Sequence, residues 1–302
     1  MSTVLVTGGS GFIGTHVVEA LARRGDEPIV VDRKPFPDPG VDCVVGDLRD
    51  PEVVATAVAP GTDGIIHLAA STSVLQSMND PHGVFANNVT VTESLLERSR
   101  DVGAGPFVFA STNAVCGDVG GRVIDETIPP RPLTPYGATK AAAEMLLCCY
   151  SGSYGMPTVA LRFTNIYGRG MQVKDSIVAR LMRAVLNDDT LHIYGDGDQR
   201  RDYLYVTDAV ASLLLGLTLA GPTVLTIGAG RSVSVNQLVE LTSDAVGRPI
   251  EHDHVEPKKG EMPAVVVDTT RARAAGFEPS HTLEQGLVET WDDFRATGGA
   301  EY

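Results

Sequence analysis

The chain has 302 residues, 43% of them hydrophobic, and a formal net charge of −14. So acidic a chain is not expected to carry the basic face that binds nucleic acid. No apolar run approaches the ~20 residues that cross a bilayer. Met1 leads almost directly into Val4-Leu5-Val6 with no basic segment or cleavage site, so no signal peptide is expected and the cytoplasm is the default location.

In chain order, strands are predicted at Thr3–Thr7, Pro28–Asp32, Asp42–Gly46, Gly64–Leu68, Phe107–Ser111 and Thr158–Arg162. Helical patterns lie between them at Phe12–Arg24, Pro51–Val58, Pro81–Asp101 and Tyr136–Tyr154. This alternation argues for an α/β fold with a doubly wound parallel sheet. The strands are short and apolar on both faces, as expected when helices cover both sides. After about Phe163 the pattern becomes irregular: Gly195-Asp196-Gly197-Asp198 reads as a turn, Leu225–Ile227 as one more strand, and Glu251–Glu261 as a polar connection. A smaller second lobe built from the C-terminal part is expected, with the ligand site in the cleft between lobes.

Cys43, Cys116, Cys148 and Cys149 match no zinc spacing, and the adjacent Cys148 and Cys149 read as helix-packing residues. His252 and His254 flank Asp253 on a predicted strand, where alternation puts both imidazoles on one face. With no third ligand nearby, no metal is expected.

Three motifs carry chemistry. Thr7-Gly8-Gly9-Ser10-Gly11-Phe12-Ile13-Gly14 joins the first strand to the first helix, and Gly9, Gly11 and Gly14 fit the G-x-G-x-x-G fingerprint. Missing side chains there allow a tight turn and close approach of a pyrophosphate to the helix N-terminus. Asp32 ends the second predicted strand, where a carboxylate can bond ribose hydroxyls and disfavour a 2′-phosphate, pointing to NAD. Arg33 beside it keeps NADP open.

Tyr136-Gly-Ala-Thr-Lys140 places tyrosine and lysine one helical turn apart on one face. Free tyrosine titrates near 10. A nearby ammonium and a cationic nicotinamide can lower that value and make the phenol a usable base. Ala110-Ser111-Thr112-Asn113 falls at the carboxyl end of the fifth strand, where ligands bind in open α/β sheets. Thr112 can share a hydrogen bond with the substrate oxygen that loses its proton.

Together these motifs resemble the extended short-chain dehydrogenase/reductase family, within it the nucleotide-sugar epimerases and dehydratases, over nearly the whole chain. The resemblance implies a Rossmann-type, NAD-binding domain at 1–165 with a return segment at about 203–228. It implies a substrate-binding lobe from 166–202 and 229–302. Gly46-Asp47-Leu48 resembles the adenine-contacting segment, and His67-Leu68-Ala69-Ala70 the loop lining the cofactor. Asn88 resembles an asparagine near the nicotinamide end. The implied cofactor contacts are thus Gly8, Gly11, Phe12, Ile13, Gly14, Asp32, Asp47, Leu48, Leu68, Ala69, Ala70 and Asn88, with Tyr136 and Lys140.

Arg162-Phe-Thr-Asn165-Ile-Tyr167-Gly168 matches the segment entering the substrate lobe. Gly195-Asp-Gly-Asp-Gln-Arg-Arg201-Asp202-Tyr203 matches a segment whose arginine clamps the substrate's diphosphate, and a guanidinium suits that task. A salt bridge from Arg201 to Asp202 or another acid is the alternative for that side chain. Pro257-Lys258-Lys259-Gly260-Glu261 resembles a further phosphate-gripping segment, with Lys258 in place of the usual arginine. Val265 falls where a tyrosine would narrow the pocket to plain hexoses.

There are departures from the family pattern. Asn113 and Ala114 stand where dehydratases carry an Asp-Glu pair, and Cys116 stands where tyrosine is usual. The reading implied by resemblance is an NAD-dependent 4-epimerase of UDP-galactose/UDP-glucose type, acting as a homodimer with Thr112, Tyr136 and Lys140 as catalytic residues. A 4-ketoreductase or dehydratase of the same family, or a catalytically silent dinucleotide sensor, are the alternatives.

Overall fold

The computed structural model describes residues 1–256 and 265–298. The first half runs β1 (Thr3–Thr7), α1 (Phe12–Arg24), β2 (Glu27–Asp32), β3 (Asp42–Val45), α2 (Pro51–Ala57), β4 (Gly64–His67), α3 (Val74–Asn79) and α4 (Pro81–Phe85). A π-helical turn, Ala86–Thr90, then leads to α5 (Val91–Val102), β5 (Phe107–Thr112), α6 (Pro135–Tyr154) and β6 (Thr158–Phe163). The second half holds β7 (Asn165–Tyr167), α7 (Ile177–Asn187), β8 (Leu191–Tyr194), β9 (Arg200–Tyr205), α8 (Val206–Gly216), β10 (Thr223–Ile227), β11 (Ser232–Ser234), α9 (Val235–Val246), β12 (His252–Val255), α10 (Thr270–Ala274) and α11 (Leu283–Thr297).

Seven strands form one sheet in the order β10-β6-β5-β4-β1-β2-β3, and all neighbours are parallel. Alternation along each strand sends successive side chains to opposite faces, and both faces are apolar. Val4 and Val6 pack with Val30, Ile66 and Val108 on the side of α1 and α8. Leu5 packs with Val31, Ile65, Phe107 and Phe109 on the side of α2, α5 and α6. A β11-β9-β7 sheet and a β12-β8 pair sit over a third core that includes Tyr167, Met182, Leu238, Leu287 and Phe294.

From β1 the chain winds outward through β2 and β3, then returns to β4 on the other side of β1 and winds the opposite way. The reversal opens a crevice at the carboxyl ends of β1 and β4, the usual place for a ligand in such sheets. The glycine turn after Thr7 and the loop after His67 flank that crevice, and Thr7 pairs with His67 in the ladder.

The doubly wound parallel sheet agrees with the sequence reading. The segment expected as one helix over Pro81–Asp101 is interrupted by the π turn. One extra residue enters the turn there, and the side chain of Asn88 is drawn inward by bonds to Ser71 and Thr139. A second correction concerns Cys148 and Cys149: both lie on α6, but exposed and free rather than packed. His252 and His254 sit on β12 with ring centroids 6.1 Å apart. Each has an Nδ1 contact to a backbone carbonyl, of Ile250 and Gly195 respectively. Among the described residues no helix is long and apolar enough to cross a membrane.

Candidate active site

The first pocket lies at the crevice and is lined by the glycine turn, the end of β2, Asp47 and Leu48, and Leu68, Ala69 and Ala70. Two glycines show why that turn excludes side chains. Gly8 has φ +71°, and a Cβ there would sit 2.8 Å from the Ala69 amide nitrogen. A Cβ on Gly14 would sit 2.3 Å from the Gly8 carbonyl oxygen. The helix α1 therefore packs against the turn at backbone distance. Its N-cap, Gly11, makes no side-chain cap bond, and no acid lies in the first turn. An anion can take up those amide donors.

Asp32 is held in place by the amides of Ser10 and Lys34, at 3.2 Å each. Asp47 is gripped by Arg49, whose Nη2 donates at 2.6 Å; those bonds hold its carboxyl down at about 2 despite burial. Asn88 does not line the pocket. It is 1% exposed, and its amide binds both backbone groups of Ser71 and the Thr139 hydroxyl. Asn87, with Ser71, Thr72, Arg33 and Lys174, lines it instead.

The end of β5 and the start of α6 converge beside this crevice. Thr134 caps α6 by accepting from the Gly137 amide, and Pro135 opens the first turn. Gly137 is close against the Ala114 carbonyl, where a Cβ would approach to 2.6 Å. That contact holds the start of α6, with Tyr136, against the turn that follows Thr112. Lys140, 2% exposed, donates to the Ala110 carbonyl at 2.7 Å with its ammonium 4.4 Å from the centre of the Phe109 ring.

The electrostatics differ from the sequence expectation. Burial pushes the Tyr136 hydroxyl up to about 12, opposed by the bond to Thr112. Burial lowers Lys140 to about 7, opposed by Glu144 one turn further on. In the protein alone burial outweighs whatever lowers the phenol, and the cationic nicotinamide of the sequence expectation is no part of that balance. The Lys140 ammonium is desolvated and spent on a carbonyl, so the positive charge meant to stabilise a phenolate is itself weakened.

Behind the pair, Glu144 receives three bonds of 2.7–3.1 Å from Arg162 and a 2.5 Å bond from the Ser111 hydroxyl. His67, held between the hydroxyls of Thr7 and Thr92, is driven down to about 3 by burial and is neutral. Asn113, next to Thr112, is 4% exposed, and neither of its side-chain amide atoms has a hydrogen-bond partner among the described residues.

A second pocket is lined by Asn165, Arg201, Asp175, Ser176, Arg180, His192, Tyr194 and Gln199, among others. Asn165 and Arg201 thus line one cavity. Asp202 is engaged elsewhere, by Thr164, Ala229 and Arg231 at 2.8, 2.9 and 3.0 Å. Val265 is 5% exposed and packs in an apolar cluster with Cys116, Val115, Ile124 and Val267 rather than on a pocket wall. Lys258 lies outside the described residues. Arg180, His192 and Tyr194 carried no signal in the sequence. They meet because β8 and α7 pack together, with Arg180 donating to the His192 carbonyl at 2.9 Å.

The model of the NAD dependent epimerase/dehydratase family matches residues 4–228. A putative UDP-glucose 4-epimerase of Methanocaldococcus jannaschii is 31% identical over 298 residues, 95% of this chain and 97% of that one. A crystal structure of the UDP-glucose 4-epimerase of Thermotoga maritima with UDP-glucose superposes with TM-score 0.93 at 34% identity, covering 98% and 99% of the two chains. The UDP-glucose 4-epimerase of Thermus thermophilus in complex with NAD gives TM-score 0.91 at 35% identity, covering 97% and 99%.

Proposed function

This chain belongs to the NAD-dependent epimerase/dehydratase family, and we propose that it is an NAD-dependent UDP-sugar 4-epimerase of UDP-galactose/UDP-glucose type. The observation that carries the reading is the convergence of Thr112, at the carboxyl end of β5, with Tyr136 and Lys140, one turn apart at the start of α6, beside a glycine-lined crevice. The uncapped N-terminus of α1 and the side-chain-free turn at Gly8, Gly11 and Gly14 suit a dinucleotide. Asp32, fixed by two amides, suits the ribose hydroxyls of NAD. Residues 1–165 with the return segment at about 203–228 form the cofactor domain in this reading, and 166–202 with 229–302 the substrate lobe.

NAD, when bound, supplies the hydride acceptor and donor at the sugar C4. Tyr136 takes the proton from the 4-hydroxyl and returns it, while the Thr112 hydroxyl holds the same sugar oxygen. Lys140 binds the nicotinamide ribose. Arg201 and Asn165 hold the UDP portion in the second pocket, and Lys258 joins them at the diphosphate. Dehydration is disfavoured because Asn113 and Ala114 offer no acid beside Thr112. The test is direct: purified protein with NAD and UDP-galactose, without added reductant, should yield UDP-glucose by NMR. A requirement for stoichiometric reductant would replace this reading with a ketoreductase.

Substrate size gives a second test. Val265 packs in the apolar cluster beside Cys116 rather than on a pocket wall, so the size gate implied by the resemblance has to act through that cluster; if it does, the parent turns over UDP-N-acetylgalactosamine as well as UDP-galactose. Val265→Tyr is expected to lose the N-acetylated substrate selectively, by about tenfold or more, because overpacking costs more than a lost methyl contact. Because Val265 is buried beside Cys116, the melting temperature should be read alongside. Equal loss of both substrates would refute the gate.

The protein is also proposed to be a homodimer pairing through α6 and the helices from Pro81 to Val102. On α6, Met145 is 62% and Tyr154 56% exposed, and Cys148 and Cys149 are exposed as well. Phe85 of α4 is 50% exposed. Apolar exposure of this extent on one helix is what a partner covers. Light scattering at micromolar concentration should give twice the chain mass; a monomer there would refute the proposal.

A further inference from the structure

We infer that Lys174 is a diphosphate-binding residue for the dinucleotide, delivered into the cofactor pocket by the segment that also walls the substrate pocket. The inference rests on the cofactor reading proposed above. After Gly168 the chain runs to α7 with Met171 and Gln172 buried, and it is fastened on both sides. On one side, His16 Nε2 on α1 lies 2.8 Å from the Arg169 carbonyl oxygen. On the other, the Gly170 amide and Gln172 Nε2 donate to Asp293 of α11 at 2.8 and 2.6 Å. Arg183 of α7 donates to the carbonyls of Gln172 and Lys174, at 2.6 and 2.9 Å. Held this way, Lys174 lines the cofactor pocket with its ammonium 5.9 Å from the centre of the Phe12 ring, in the first turn of α1. The next residue, Asp175, lines the second pocket.

The ammonium is in a position that calls for an anion. Lys174 is half-buried, and burial lowers its pKa. No carboxylate lies within ion-pair distance of it among the described residues, and the acids of the same pocket are committed: Asp32 to two amides, Asp47 to Arg49. A partly desolvated cation without a counter-charge costs free energy that a bound anion offsets. Arg33 and Lys174 are the cations that line the pocket. Arg33 adjoins Asp32 and acts on Asp47, at the β2 end. Lys174 stands at the other end, where the uncapped amides of α1 already favour negative charge. Amide donors and an ammonium converging on one spot fit a diphosphate.

The test uses the full chain and its K174M and K174R variants, titrated calorimetrically with NAD, ADP-ribose, adenosine and UDP. K174M should weaken NAD and ADP-ribose by about tenfold or more, the scale of a charge-assisted hydrogen bond. Adenosine and UDP should be unaffected, K174R should restore most of the loss, and the gap should narrow at high salt. In the parent, ADP-ribose should protect Lys174 from acetic anhydride, read by peptide mass spectrometry, and adenosine should not. Unchanged ADP-ribose affinity in K174M, equal loss of adenosine, loss confined to UDP, or no protection in the parent would each overturn the assignment. A parent that binds NAD but interconverts no UDP-sugars would defeat the epimerase reading and leave Lys174 standing.

Discussion

Replacing Tyr136 with phenylalanine is expected to cut turnover by about 10²–10⁴-fold, the usual contribution of a positioned acid–base group. Affinities for NAD and UDP-sugar should stay close to the parent's. The ring remains to fill its place at the start of α6, and only the phenolic hydroxyl is lost. The two pockets are lined by other residues, so neither ligand loses a wall. Burial holds the phenol at about 12 in the protein alone, well above a useful base, so activity should also depend steeply on everything that brings positive charge to it. Lys140→Met should show a large loss as well, because it removes the ammonium proposed to bind the nicotinamide ribose and so to place that cationic ring. A Tyr136→Phe enzyme retaining more than about a third of parental turnover would remove Tyr136 from the role of base.

The second large effect concerns stability. Glu144 and Arg162 have side chains 6% and 5% exposed and form a bidentate pair with a closest contact of 2.7 Å. Glu144→Leu alone strands a guanidinium, and Arg162→Met alone strands a carboxylate. Each is expected to cost about 3–5 kcal/mol, because an uncompensated charge is left buried. The double variant should be markedly more stable than the sum of the two losses, since an apolar pair of similar volume replaces the ionic one. Urea unfolding of all four proteins measures the cycle. Single variants within about 1 kcal/mol of the parent, or strictly additive losses, would show that the pair does not hold this face of α6. The Glu144→Leu protein carries a further signature: Glu144 is what raises the pKa of Lys140 against burial, so its removal should drive that lysine further toward the neutral form.

What the sequence made legible was the local part. The glycine turn, Asp32, Thr112 and the Tyr136/Lys140 pair work through short spacings, and one strand or one helical turn translates spacing directly into geometry. The sheet was legible for the same reason, because strands apolar on both faces require helices on both sides. What escaped depended on distant parts of the chain meeting. Lys174 enters the crevice from a segment that belongs to the other sheet, and His192 reaches the second pocket through the packing of β8 on α7. The π turn was invisible because one slipped hydrogen bond leaves the apolar period of Pro81–Asp101 almost intact, yet it decides that Asn87 faces the crevice while Asn88 braces its wall. The pKa values of Tyr136 and Lys140 follow burial, which no spacing reports.

The route of the chain through its sheets limits how such an enzyme can be recombined. The core beneath the main sheet is completed by Ala209, Val210 and Leu213 of α8, by Leu225 and Ile227 of β10, and by Ala272 and Phe277 from still later in the chain. Cutting after β6 would strip these away, leave that strand's edge unpaired and bare the apolar face around Val108 and Leu161. A chimera that borrowed its sugar-recognising parts from a relative would therefore need at least two separate grafts, on either side of the α8–β10 stretch, rather than one crossover. Point changes at the pocket walls are the shorter road to a new specificity on this scaffold.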